Sequence, residues 1–177
     1  TAVAVYEFMR EYADILHLPS DALEKMFKID NHVGVATSGL MADARQLVAR
    51  SRVEAQINRI TYGATVPVDV LVKKICDFKQ SFTQYGGSRP FGTALLIGGV
   101  DDNGIHLYET DPSGAYQSYH AGAIGSGRNT VIEYFEKNWK ENMTLNAAMK
   151  MGLEGLRFSN DTELNRDAVE VSVIDAD

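Results

Sequence analysis

The order of elements in this sequence predicts an α+β sandwich, with two antiparallel sheets stacked face to face and a pair of helices outside each. Three observations lead there. Strand-length apolar runs are followed by two long helical periods, then a meander punctuated by Gly and Asp, then two further helices and a last alternating segment. A parallel βαβ array would alternate strand and helix more strictly. With 177 residues, 45% hydrophobic and 23% charged, the chain has the material for one domain's core. No linker or low-complexity run divides residues 1–177, so a single domain is expected.

Each element has its own local signal. Thr1–Val5 and Val33–Thr37 are apolar runs of strand length. Ala42–Tyr62 is helical in period but carries two apolar stripes. Ala44, Leu47, Val48, Ser51, Ala55 and Tyr62 form one, and Ala49, Val53, Ile57 and Ile60 lie on nearly the opposite face. Asp43, Arg50 and Glu54 occupy one flank, and Arg45, Arg52 and Arg59 the other. A helix apolar on two faces needs two covers: the sheet on one side, and a neighbouring helix or another chain on the other. Val68–Tyr85 has a single stripe, Leu71, Ile75, Phe78 and Phe82.

The meander follows as Thr93–Val100, Ile105–Thr110 and Ala115–Ala121, separated by the turns Asp101-Asp-Asn-Gly104 and Asp111-Pro-Ser-Gly114. Asn129–Asn138 and Thr144–Phe158 read as helices, the second with Leu145, Ala148, Met149, Gly152 and Leu156 on one side. Val169–Ile174 alternates and is expected to close the chain as a strand.

Composition narrows the chemistry. A net charge of −7 argues against a dedicated nucleic-acid binder. No apolar stretch approaches the ~18 residues of a membrane span, and the first residues lack the pattern of a signal peptide. One cysteine, Cys76, excludes an internal disulfide and suits a reducing cytoplasm. On a helix without a sequence-local histidine, it reads as a buried structural thiol. His17, His32, His106 and His120 are scattered without ligand spacing, so no metal is expected.

Two features could carry catalysis or binding. A free N-terminal Thr1 can act as a nucleophile with its own α-amine as base, but it needs a nearby cation and a carboxylate that the spacing does not supply. Gly125-Ser-Gly-Arg128 before a helix resembles a phosphate cradle, but lacks the Lys-Ser/Thr of a P-loop and the spacing of a dinucleotide fingerprint. A tight strand-to-helix turn is the simpler reading.

Several motifs occur together in the order found in one family. Lys28-Ile-Asp-Asn-His-Val-Gly-Val-Ala-Thr-Ser-Gly-Leu-Met-Ala-Asp-Ala-Arg45 resembles the central signature of α-type proteasome subunits. It continues with Arg52-Val-Glu-Ala-Gln56, Tyr85-Gly-Gly-Ser-Arg-Pro-Phe-Gly92, Asp111-Pro-Ser-Gly114 and Ala123-Ile-Gly-Ser-Gly127. The wording is most similar to archaeal subunits and covers roughly Pro19 to Asp177.

The resemblance implies a four-layer αββα sandwich of the N-terminal-nucleophile hydrolase type. It implies a non-catalytic subunit of a heptameric ring that caps the proteolytic β-type rings, controls access and docks an activating ATPase in protein degradation, without a cofactor. Ala42–Tyr62 would face the β-type ring. Leu23-Glu-Lys-Met26 matches the place where the family carries a lysine that pairs with an activator's C-terminal carboxylate. Lys25 is therefore the expected ligand, and Gly39 and Leu40 fall in a segment that could line the same pocket. A cation in a partly desolvated pocket suits a peptide C-terminus.

The sequence also departs from the family. The 177 residues begin at the strand matching Thr1–Val5, ahead of which the family has a tail and a helix, and end after the last strand, beyond which it often has another helix. Tyr6–Leu18 diverges and reads as helical where the family has a turn and a strand, so one early strand is expected to be missing or rebuilt. Two alternatives remain beside the α-type reading: a β-type-like threonine hydrolase using Thr1, and a stand-alone protein of this fold that forms no ring.

Overall fold

In the computed structural model, which describes residues 2–5, 25–159 and 169–174, the elements stack in four layers. The larger sheet is antiparallel and five-stranded. It comprises β2 (Met26–Asp30), β3 (Val33–Gly39), β4 (Thr93–Asp101), β5 (Gly104–Thr110) and β6 (Tyr116–Ser118), in that spatial order. The smaller sheet pairs β1 (Ala2–Val5) with β7 (Ala121–Ile124), Ala2 opposite Ile124 and Val5 opposite Ala121. Helices α1 (Met41–Tyr62) and α2 (Val68–Ser81) cover the outer face of the larger sheet. Helices α3 (Arg128–Asn138) and α4 (Leu145–Ser159) cover the smaller one. This is the expected αββα sandwich.

The pleat explains why β4 reads as a continuous aliphatic run. Leu95 and Ile97 point toward α1 and α2 and join Val33, Val35, Leu47, Leu71 and Ile75 in one core. Leu96 points the other way, to Ala36, Leu107 and Ile124 between the two sheets. A strand buried on both faces has no polar alternation to display. A third core, Ala123, Val131, Phe135 and Met151, sits beneath the outer pair α3 and α4.

Four expectations are corrected. Ala115–Ala121 is not one strand: β6 ends at Ser118, and the chain crosses at Tyr119 and His120 to enter the other sheet as β7. Val169–Ile174 forms no strand. Its Ile174 Cδ1 lies 3.0 Å from where a Cβ on Gly34 would stand, and 3.9 Å from one on Gly98. Those glycines share the face of Ala36 and Leu96, so the side chain packs onto a sheet face and not beside an edge where a ladder could form.

The buried side of α4 centres on Ala148, Met151 and Gly155, rotated from the predicted stripe. Gly155 lets the Phe135 ring and Val131 approach, to 3.0 and 3.1 Å of a would-be Cβ. Tyr62 closes the predicted buried stripe of α1 but is 74% exposed, because the helix has run past the sheet. The divergent segment Tyr6–Leu18, together with Thr1 and His17, lies outside the described residues.

The flanks of α1 are polar but not idle. Glu54 is buried between Arg50 and Lys74, and Arg50 also lies 5.3 Å over the Phe78 ring. On the other flank Arg59 holds Asp30 of β2 with bonds of 3.0 and 3.1 Å, and Arg52 donates to the Lys28 carbonyl at 3.0 Å. Two arginines of the seven-residue repeat, Arg52 and Arg59, therefore tie α1 to β2 within the same chain. Among the described residues the second apolar stripe has no such cover: Ile60 is 84% exposed, and Val53 and Ile57 are about half exposed.

Candidate functional site

Lys25 directly precedes β2, and the ladder sets Met26 opposite Ala36, which brings Lys25 level with Thr37. Thr37 fastens it twice: its amide donates to the Lys25 carbonyl at 2.8 Å, and its hydroxyl to the same oxygen at 3.2 Å. Gly39 lies two residues farther along β3, about 7 Å at the rise of an extended chain, and Leu40 leads into α1. The expected ligand Lys25 and the two candidate pocket-lining residues thus gather at one end of the β2–β3 pair. Lys25 is exposed, and Leu40 is 52% exposed.

Gly39 has φ +118°, and a Cβ there would stand 2.2 Å from the Gly92 carbonyl oxygen. Only glycine fits this approach. The close contact is what lets the Leu40 amide donate to that carbonyl at 2.9 Å. Among the described residues no side chain caps α1; its first turn instead holds Asp43, a carboxylate at the positive end of the helix. Arg89 grips Asp43 with both arms, at 2.6 and 2.8 Å, and the Gly92 amide donates to it at 2.7 Å. Arg89, with help from the Gly92 amide, holds the Asp43 carboxyl below its ordinary pKa against the opposing effect of burial. A shallow open cavity of about 220 Å³ adjoins the pair, lined by Asp43, Phe82, Ser88, Arg89 and Phe91.

Beneath the turn lies Lys79 of α2, fully buried, donating to the Thr93 carbonyl at 3.1 Å and the Thr110 hydroxyl at 2.9 Å. Burial pulls its pKa down to about 8. Asp43, Arg89 and Lys79 escaped the sequence reading as site residues. Arg89 stood inside a quoted motif and Asp43 on a noted flank, but the bond between them spans 46 residues. Lys79 carries no local signal, since Lys73 and Lys74 on the same helix reach solvent.

The other candidates resolve simply. At Gly125-Ser-Gly-Arg128, Gly125 has φ +106° and the Arg128 amide donates back to its carbonyl at 3.1 Å, a tight turn. Arg128 spends its guanidinium on Glu109, at 2.9 and 3.0 Å, so the cation of the supposed cradle already holds a carboxylate. His32 donates from Nε2 to the Val66 carbonyl at 2.8 Å, His106 meets Asp101 at 3.0 Å, and His120 stacks on Trp139. Among the described residues no group of three or more acidic, His or Cys side chains could hold a metal. No described helix is long and apolar enough to cross a membrane. Cys76 is buried.

Comparison with known proteins agrees with the layered fold. The family model described as proteasome subunit matches residues 12–174. The chain is 54% identical over 155 residues to the proteasome subunit alpha of Methanosarcina mazei, which covers 88% of this chain and 62% of that protein. It is 53% identical over 160 residues to the same subunit of Archaeoglobus fulgidus, covering 90% and 65%. Against that of Methanothermobacter thermautotrophicus the identity is 52% over 155 residues, covering 88% and 62%. The chain thus spans somewhat more than three-fifths of the length of these relatives. Matched by one family model from residue 12 to residue 174 and folded as stacked sheets between helix pairs, the chain belongs to the proteasome subunit family.

Proposed function

We propose that this chain is a non-catalytic α-type proteasome subunit that joins a heptameric ring, caps the β-type proteolytic chamber in the cytoplasm, and docks activator tails. The observation that carries the docking reading is the gathering of Lys25, Gly39 and Leu40 at one end of the β2–β3 pair. A peptide's C-terminal carboxylate would pair with the Lys25 ammonium, while Leu40 offers an exposed apolar wall. Gly39, exposed beside them, adds no side chain to the mouth. Relatives named as α subunits support the subunit type.

The exposed stripe Val53, Ile57 and Ile60 on α1 supports a partner on the face away from the sheet, and a β-type subunit is the partner proposed. Seven copies of a 19.5 kDa chain make a ring of about 137 kDa. The test is degradation of an unfolded substrate by a core particle carrying this chain, with and without an activating ATPase. Lys25→Ala should abolish the stimulation while the native mass stays that of the assembled particle. Undiminished stimulation would remove Lys25 from the docking site.

A further inference from the structure

The two halves of the proposed docking mouth are set by different ties. Lys25 is placed by the β2–β3 ladder and by the two bonds from Thr37. Gly39 and Leu40 are placed by the loop that leads into β4. Gly92 accepts from the Leu40 amide at 2.9 Å, and the Thr93 hydroxyl donates to the Ser38 carbonyl at 2.9 Å. The Leu40 side chain rests on Gly92 so closely that a Cβ there would stand 2.6 Å from its Cδ1. The distance from the apolar wall to the ammonium therefore depends on where this loop sits.

One carboxylate decides that. Asp43 Oδ2 accepts the Gly92 amide at 2.7 Å, and Arg89 takes both Asp43 oxygens, at 2.6 and 2.8 Å. Arg89 Nη1 also donates to the Pro90 carbonyl at 2.9 Å, which folds the loop back onto its own arginine. The guanidinium side chain is 62% exposed, so simple charge attraction contributes little there. A planar fork on a mostly buried carboxylate specifies geometry instead, and a lysine would not reproduce it.

We infer that Asp43 and Arg89 are positioning residues for carboxylate docking: they latch the Arg89–Thr93 loop to the first turn of α1 and so hold the Leu40 wall in register with Lys25. The inference rests on the docking reading above. A latched wall delivers the terminal carboxylate of a bound tail to the ammonium. With the latch loosened, the tail still meets Leu40, but its carboxylate no longer reaches Lys25.

The test uses an assembled particle carrying this chain and a short fluorescent peptide with the C-terminal sequence of a proteasome-activating ATPase. The peptide is prepared as the free acid and as the C-terminal amide. The readout is the ratio of the two affinities. In the unmodified particle the acid should bind more tightly, by about tenfold or more, the size of one charge-assisted hydrogen bond. Lys25→Ala should erase that preference. Arg89→Lys and Asp43→Asn should shrink it severalfold while leaving amide binding and native mass unchanged.

Equal binding of acid and amide to the unmodified particle would overturn the docking reading and this inference with it. A preference lost in Lys25→Ala but intact in Arg89→Lys would overturn the inference alone. So would an equal weakening of acid and amide, which is what general loosening produces. Should Asp43→Asn fail to assemble, Arg89→Lys, which keeps the charge, decides the question.

Discussion

Asp101 caps a helix to which it does not belong. Its Oδ2 accepts the amide of Val68 at 2.8 Å, so the last residue of β4 satisfies the first turn of α2 from 33 positions away. Its other oxygen accepts the Asn103 amide at 2.8 Å and meets His106 Nε2 at 3.0 Å. One carboxylate thereby joins a helix start, a hairpin turn and the next strand. Pro67 precedes the helix without a side-chain cap, which leaves this donor to be served from the sheet.

Asp101→Ala should therefore cost about 1–2 kcal/mol, the usual worth of an N-cap. Burial pushes the Asp101 carboxyl up, but the Val68 and Asn103 amides and His106 together hold it below its ordinary value of 3.8. A depressed carboxylate stabilises the fold above its unfolded pKa, and that contribution is lost as pH falls through the folded value. Urea unfolding should thus show the wild-type advantage over Asp101→Ala at pH 6 shrinking as pH drops below about 4.

Lys79 makes the opposite prediction on the alkaline side. Its two acceptors, the Thr93 carbonyl and the Thr110 hydroxyl, match the two N–H donors of a neutral amine. Burial lowers its pKa from 10.5 to about 8, so between these values the unfolded chain binds more protons than the folded one. Stability should then rise with pH across that window, by roughly 3 kcal/mol at most, and Lys79→Met should flatten the rise. Denaturant midpoints of both proteins from pH 7 to pH 10 measure the difference. Parallel curves would refute the assignment.

The glycines at the two ends of α1 should respond differently to alanine. Gly63 has φ +68° with nothing within 4 Å of a would-be Cβ, so Gly63→Ala should cost only the left-handed penalty of about 1 kcal/mol. Gly39 adds to φ +118° a Cβ position 2.2 Å from a backbone oxygen. Gly39→Ala should cost about 3 kcal/mol or more. Thermal unfolding of both variants tests the ordering.

Cys76 should be chemically silent in the native chain. Desolvation pushes its thiol up to about 11, with Lys79 opposing the shift. At pH 8 that leaves roughly one thiolate in a thousand, behind a closed core. Labelling by a thiol-reactive disulfide should be at least ~100-fold slower than in denaturant, limited by local opening. Rapid native labelling would mean that α2 is not packed as described.

The outer stripe of α1 separates assembly from folding. Val53, Ile57 and Ile60 are exposed in the single chain, so Ile57→Asp with Ile60→Asp should change its unfolding free energy by less than about 1 kcal/mol. If a β-type subunit covers this face, the same pair of changes should block co-assembly, seen as loss of the high native mass. Normal assembly would place the interface elsewhere.

Most elements were legible because local period encodes which face is apolar. The stripes of α1 and α2, the aliphatic run of β4 and the Asp-Asn-Gly turn before β5 are statements about neighbours in sequence, and the fold honours them apart from the exposed Tyr62 at the end of α1. The order of elements, with the quoted motifs, was enough to anticipate the sandwich. Where alternation alone was the guide, over Val169–Ile174, it failed. Strand propensity cannot say whether an edge is free to pair.

What tertiary structure decided are the relationships that cross the chain. The passage of residues 119–120 from one sheet to the other follows from β1 offering β7 a partner. Lys79 is buried because α2 lies over the ends of β4 and β5, where two acceptors await it, while its neighbours Lys73 and Lys74 reach solvent. Asp43 finds Arg89 only once α1 has folded back across the sheet. Periodicity fixes the face of a helix by steric and hydrophobic rules acting within a few residues. Which charge meets which, across 46 positions, depends on the packing of whole layers.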